Sequence, residues 1–415
     1  MANIVIEGGY KLSGKINISG AKNSAVALIP AAILCDEKVT ISNVPNISDK
    51  YALDDILKYL GAKINDNGES ITIDPTEIVN KEIPESISKK LRASYYFMSS
   101  LLGKYKKVSM YFPGGCAIGA RPIDQTIKGF EALGAKIIKE GSKYTIYADK
   151  LTGGNVYLDM PSVGATINTI LVAVRAEGKT IIENAAKEPE IVNVATFLNN
   201  MGAKITGAGT SEIKIEGVDK LHSCFIEVIP DRIETGTYMI ASALIGEKVR
   251  IDNVIPEHVE ALTLKLKEAG VEIETGEDYI IVSSTNKMKA INIKTMGFPG
   301  FPTDLQQPMS TFLTQCDGIS TIHETIYENR FKNLDYLKLM GSNIKTEKDK
   351  AYIEGKIKLK GTFVEATDLR AGACLIIAGL IAEGKTVITN IEHILRGYSN
   401  IIEKLQNIGA KIKIE

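Results

Sequence analysis

LGAKI at residues 60–64 returns as LGAKI at 133–137, MGAKI at 201–205, AGVEI at 269–273, MGSNI at 340–344 and IGAKI at 408–412. The glycines of these stretches, Gly61, Gly134, Gly202, Gly270, Gly341 and Gly409, are spaced by 73, 68, 68, 71 and 68 residues. A fixed period of this length marks an internal repeat. Each copy has a helical pattern before the glycine, the glycine where a helix C-terminus needs a left-handed residue, and an alternating strand pattern after it. A second echo lies upstream in four copies: DEKVTISNV from Asp36, AEGKTIIEN from Ala176, GEKVRIDNV from Gly246 and AEGKTVITN from Ala382. It reads as helix end, turn, strand. The predicted unit is therefore helix, strand, helix, strand, strand, and the fold class α/β with six such units.

The chain has 415 residues, 44% of them apolar, which suits two domains of three units each. The expected boundary lies in IEVIPDRIETGT at 226–237. The first twenty residues read as strands that precede any complete copy. They are expected to join the C-terminal half, giving one domain of 21–229 and a second of 1–20 plus 230–415, with a ligand cleft between them. A formal net charge of −1 argues against nucleic acid as a partner. The five cysteines, Cys35, Cys116, Cys224, Cys316 and Cys374, are scattered without a C-x-x-C pair, which fits a reducing compartment. No targeting pattern, apolar span or metal-ligand spacing is legible, so the sequence reads as cytoplasmic, free of membrane and without a metal. GLIAEGKT at 379–386 matches the phosphate-loop pattern by letter, but a helical run precedes it and a strand follows, the reverse of what that motif requires.

Chemistry concentrates in PGGCAIGARP at 113–122, where three glycines let the backbone approach a ligand around Cys116 and Arg121. Lys22 and Asn23, Arg92 with Ser94, and Ser162, Val163 and Gly164 all stand at predicted helix entries, where free N–H groups favour anions. GFPGFPTDLQQP from Gly297 delivers Asp304 between rigid turns, as a positioned general base requires. Arg330, Arg370 beside Asp368, and Arg396 before Gly397 add further cations. Lys22, Arg92, Arg121, Arg370 and Arg396 are expected at or near helix starts in different copies, converging on a small, multiply charged substrate.

The run from Lys22-Asn23 through PGGCAIGARP, PSVGAT, ENAAKEPEIV, VIPDRIETGT, PGFPTD, YENRF, ATDLRA and LRGY closely resembles the UDP-N-acetylglucosamine 1-carboxyvinyltransferase family of enolpyruvyl transferases, along essentially the whole chain. The resemblance implies an inside-out α/β barrel of two threefold domains. It also implies transfer of the enolpyruvyl group of phosphoenolpyruvate to the 3-hydroxyl of UDP-N-acetylglucosamine, without a cofactor. Asp304 would take the hydroxyl proton. Cys116 would act as general acid and form a covalent phospholactoyl adduct, the 2-(S-cysteinyl)pyruvic acid O-phosphothioketal. Lys22, Arg121 and Arg396 would bind phosphoenolpyruvate, with Arg92 and Arg370 nearby, and Lys22 and Arg396 count with Cys116 and Asp304 as catalytic. Asn23, Ile326 and Arg330 would help hold the sugar nucleotide. Arg121, Pro122, Ile123, Asp124 and Gln125, with Ser162, Val163 and Gly164, would contact the uridine diphosphate. Fosfomycin, an epoxide mimic of phosphoenolpyruvate, would inhibit by alkylating Cys116. The chain departs from the pattern at Ile167, where glutamate is expected, and at Lys332-Asn333, where methionine and histidine are common. The sister reaction on shikimate 3-phosphate shares the repeat architecture, and a non-catalytic sugar-nucleotide sensor would keep the scaffold without the chemistry.

Overall fold

The computed structural model describes residues 2–112 and 123–415. The chain forms two compact units: one holds the N-terminal stretch to Ser19 and Pro230–Glu415, the other begins at Gly20 and ends at Ile229. Each has its own hydrophobic core.

In the unit from Gly20 to Ile229, the helices Lys22–Ala31, Tyr96–Tyr105 and Val163–Ala173 are apolar nearly all round and bury almost every side chain against one another. A helix without a polar face has no stable place but an interior. The helices Arg232–Ile245, Gln306–Leu313 and Leu369–Ile381 are buried likewise in the other unit, Gln306–Leu313 carrying the polar Gln306, Gln307, Ser310 and Thr311 inside. Three of these six start on side-chain caps. Ser162 Oγ accepts from Ala165 N at 3.3 Å, Asp231 Oδ1 from Ile233 N at 2.8 Å and Glu234 N at 3.0 Å, and Asp368 Oδ1 from Arg370 N at 2.9 Å and Ala371 N at 3.0 Å. Each such cap contributes about 1 kcal/mol. The second helix of each copy, as in Ser48–Leu60 and Pro189–Asn200, buries only one side. The sheets alternate buried and exposed residues, one face on the core and one to solvent.

All six repeat glycines have positive φ, from 90° at Gly134 to 103° at Gly409. At Gly61, which ends Ser48–Leu60 with φ of 102°, a Cβ would also stand 2.9 Å from Glu77 O. Gly61→Ala is expected to cost about 1–2 kcal/mol of stability, from left-handed strain alone, read as a lowered thermal midpoint.

The repeat differs from the expected unit by one short strand at its start. Asn155–Tyr157 runs parallel to Lys179–Glu183 across the buried helix, and Asn292–Lys294 and Phe363–Glu365 do likewise in their copies. Three residues with a single buried side chain leave too little alternation to be recognised. In the second copy only Ile83 bridges Met110 at this place. In the first copy of each unit the leading strand comes from a distant part of the sequence. Cys224–Glu227 lies parallel to Val39–Ser42, and Lys15–Asn17 lies parallel to Val249–Asp252. Ile4–Glu7 completes the last sheet, antiparallel between Lys385–Thr389 and Lys411–Ile414 with Val5 opposite Val387 and Lys413. The segment 379–386 is the end of a buried helix, a turn and the start of a strand, and no phosphate cradle.

Candidate active site

In the unit that contains Pro230–Glu415, the chain turns through Gly300 and Pro302 into the short helix Thr303–Leu305, which presents Asp304 just before Gln306–Leu313. Asp304 Oδ1 accepts from Arg330 Nη2 at 2.6 Å, while Oδ2 accepts from Arg370 Nη2 at 2.9 Å and Nε at 3.2 Å. The side chains of Arg330 and Arg370 are 3% and 4% exposed, that of Asp304 26%. The Asp304 side chain is thus partly exposed while its two cations are almost fully buried. Burial alone would raise the Asp304 carboxyl, but the Arg370 and then the Arg330 guanidinium outweigh it and hold it far below the usual carboxylate range.

Both arginines are seated on aromatic rings, Arg330 5.1 Å from the Tyr327 centroid and Arg370 5.4 Å from that of Tyr398. Tyr398 is buried, and its hydroxyl lies 2.9 Å from Thr237 Oγ1. Gln307 Nε2 donates to Asp368 Oδ2 at 3.3 Å and to Arg330 O at 3.4 Å, tying both arginine segments to one helix turn. Arg370 is further held by the Tyr398 hydroxyl, while Arg330 Nε is buried with no acceptor in range among the described residues. The guanidinium donors now on the Asp304 carboxylate could instead hold an anion that took its place.

Arg396 departs from expectation. It is half-buried and follows the end of the four-residue helix Glu392–Leu395, because the second helix of this copy is split and resumes only at Ile401–Asn407 after a left-handed Asn400. It therefore gains nothing from a helix N-terminus. Ile326 is exposed, with its N–H bonded to Glu324.

In the unit from Gly20 to Ile229, Lys22 and Asn23 open Lys22–Ala31 as expected. Lys22 Nζ pairs with the buried Asp49, in the first turn of Ser48–Leu60, a partner with no local signal in the sequence. Arg92 starts the short helix Arg92–Tyr95, its guanidinium 5.2 Å from the Phe112 ring centroid. Ile123 precedes the helix Asp124–Ala132. Gln125 Oε1 accepts from Asp159 N at 2.8 Å and its Nε2 donates to Asp159 Oδ2 at 3.0 Å. The structure so joins the Asp124–Gln125 turn to the loop that enters Ser162, Val163 and Gly164. At Gly164 any Cβ would collide with the Tyr95 hydroxyl, which explains the glycine.

Cys116, Arg121 and Pro122 lie outside the described residues. The other four thiols are accounted for: Cys35, Cys316 and Cys374 are buried and Cys224 half-buried. Burial pushes Cys224 and Cys316 up to about 12 and raises Cys35 and Cys374. Of the departures, Ile167 is fully buried in the core. Asn333 is buried too, its Nδ2 donating to Ser310 Oγ at 2.9 Å and Cys374 Sγ at 3.4 Å, a packing role.

The family model for EPSP synthase (3-phosphoshikimate 1-carboxyvinyltransferase) matches residues 6–405. A protein of Geobacillus kaustophilus strain HTA426 named UDP-N-acetylglucosamine 1-carboxyvinyltransferase 2 is 56% identical over 412 residues, covering 99% of this chain and 96% of that protein. The protein of the same name in Bacillus subtilis strain 168 is 54% identical over 414 residues, with the same coverage. Among solved structures, the enolpyruvyl transferase NikO from Streptomyces tendae superposes with a TM-score of 0.90 at 25% identity, over 100% of this chain and 99% of that one. EPSP synthase from Acinetobacter baumannii superposes at 0.77 with 19% identity over the whole of both chains, a likeness of fold.

Proposed function

Because the chain belongs to the EPSP synthase family, we propose that it transfers the enolpyruvyl group of phosphoenolpyruvate to the 3-hydroxyl of UDP-N-acetylglucosamine, releasing phosphate, at the first committed step of peptidoglycan synthesis. Relatives 54–56% identical over nearly the whole chain carry this activity in their names, which favours it over the sister reaction on shikimate 3-phosphate. The observation that carries the chemistry is the Asp304 carboxylate clamped by Arg330 and Arg370.

In the addition step Asp304 removes the proton of the sugar hydroxyl, whose oxygen bonds to C2 of phosphoenolpyruvate, and Cys116 delivers a proton to C3. In the elimination step C3 returns a proton to the thiolate left on Cys116, the bond from C2 to the phosphate oxygen breaks, and inorganic phosphate leaves with that electron pair. A carboxylate held by two guanidiniums is a weak base. Anionic substrate groups that draw Arg330 and Arg370 to themselves restore its basicity, so the base is switched on when the site is filled. Lys22, Arg92, Arg121 and Arg396 contribute the remaining positive charge for phosphate and carboxylate. Asn23 and Ile326 act with Arg330 on the sugar nucleotide, and Ile123, Asp124, Gln125 and the Ser162–Gly164 entry on its diphosphate end. The family resemblance further predicts alkylation of Cys116 by fosfomycin and a cytoplasmic location, where both substrates are made.

The test is phosphate release from phosphoenolpyruvate by the purified protein with either acceptor. Release with UDP-N-acetylglucosamine alone, blocked by fosfomycin, is expected. Release with shikimate 3-phosphate instead would move the protein to the sister reaction, and none with either would leave a sensor.

A further inference from the structure

In four of the six copies, the residue after the strand that follows the buried helix is an asparagine with left-handed φ: Asn43, Asn184, Asn253 and Asn390, at 54°, 56°, 58° and 56°. In three of them its Nδ2 donates to the carbonyl just past the leading strand. Asn43 reaches Val228 O at 2.9 Å, Asn184 reaches Leu158 O at 2.8 Å and Asn253 reaches Ile18 O at 2.7 Å. The position is a structural pin between two strands. In the fifth copy, after Gly318–His323, it is held by Glu324, which is 3% exposed.

Glu324 keeps the pin and adds to it. Its Oε1 accepts from Thr295 Oγ1 at 2.9 Å, the residue just past the leading strand Asn292–Lys294, and from Ile326 N at 2.9 Å and Tyr327 N at 3.3 Å. The second oxygen, Oε2, accepts from Thr303 Oγ1 at 2.8 Å. With its only proton committed there, the Thr303 hydroxyl turns a lone pair to Arg330 Nη1, 3.0 Å away. Arg330 thus rests on Thr303 and on the Tyr327 ring, and Glu324 holds both supports. We propose that Glu324 is a positioning residue of the transfer reaction, orienting Arg330 against Asp304 through Thr303 and fixing the 326–327 turn; this rests on the function proposed above.

Four donors converge on the two oxygens of Glu324, so only an acceptor on both sides satisfies them. In Glu324→Gln one side becomes a donor. Facing Thr303, the amide turns the hydroxyl proton toward Arg330, itself a donor; facing the other way, it opposes two backbone N–H groups. Turnover is expected to fall about 10- to 100-fold, the scale of a small misplacement of a reacting group, with KM for both substrates within about twofold. Thr303→Val should lose as much, the double variant little more than either single one, and Thr303→Ser should recover most of the loss.

A kcat for Glu324→Gln within twofold of the unaltered protein would overturn the proposal, as would losses that multiply in the double variant. So would a crystal structure of Glu324→Gln in which Arg330 Nη1 still sits about 3 Å from the Thr303 hydroxyl, within hydrogen-bond range. That last readout needs no turnover. If the unaltered protein released no phosphate, the functional reading would fail while the role of Glu324 in seating Arg330 would still be decided by that structure.

Discussion

Asp304→Asn is expected to abolish most turnover, lowering kcat by about 10²–10⁴-fold, the range for loss of a general base, while UDP-N-acetylglucosamine still binds. The amide keeps the size of the carboxylate and can accept a hydrogen bond, but it neither takes a proton nor balances Arg330 and Arg370 behind it. Leaving two buried guanidiniums unbalanced should also cost about 2 kcal/mol, less than the roughly 3–5 kcal/mol of a fully buried pair because a quarter of the Asp304 side chain is exposed. That loss has a signature: millimolar phosphate, free to take the carboxylate's place, should raise the thermal midpoint of Asp304→Asn more than that of the unaltered protein. Normal phosphate release by the variant would remove Asp304 as the base. Equal response to phosphate in both proteins would remove the clamp as an anion site.

Cys116→Ser carries the second large effect, a loss of turnover of at least about 100-fold where the general acid is replaced by a far weaker one. The variant should also lose all covalent labelling by fosfomycin. The other cysteines sharpen this expectation. A thiol reacts as its thiolate, and burial raises the other four above their ordinary range, Cys224 and Cys316 to about 12. Peptide mapping of the treated unaltered protein should therefore return one modified peptide, 113–122 or its flanks. A second labelled cysteine, or label retained in Cys116→Ser, would detach the epoxide chemistry from this residue.

The features that were legible in the sequence are those settled within a few residues. The six glycines announced the period because a helix end needs a left-handed residue at one place, and all six adopt it. Ser162 and Asp368 could be read as helix entries because a cap reaches only two or three residues ahead, whereas Asp231, read as part of a domain boundary, proved to be a cap as well. The first helices Lys22–Ala31 and Leu369–Ile381 could be read as interior because they lack a polar face, whereas Gln306–Leu313 buries polar side chains. The short leading strands could not: three residues with one buried side chain carry no period, and in the first copy of each unit the strand comes from a distant part of the sequence.

The same division runs through the candidate site. The sequence by itself determined the residue types: a carboxylate held by rigid turns, arginines near helix ends, a lysine at a helix start and a cysteine between glycines. Tertiary structure alone decided their partners, because an ion pair depends on side chains that the chain brings together from afar. Arg370 lies 66 residues from Asp304, Arg330 26 residues from it and Asp49 27 residues from Lys22. Glu324 shows the limit most clearly. Its neighbours in sequence suggest a strand end and nothing more, and only the folded copy sets one carboxylate oxygen on the structural pin and the other on the hydroxyl that seats Arg330.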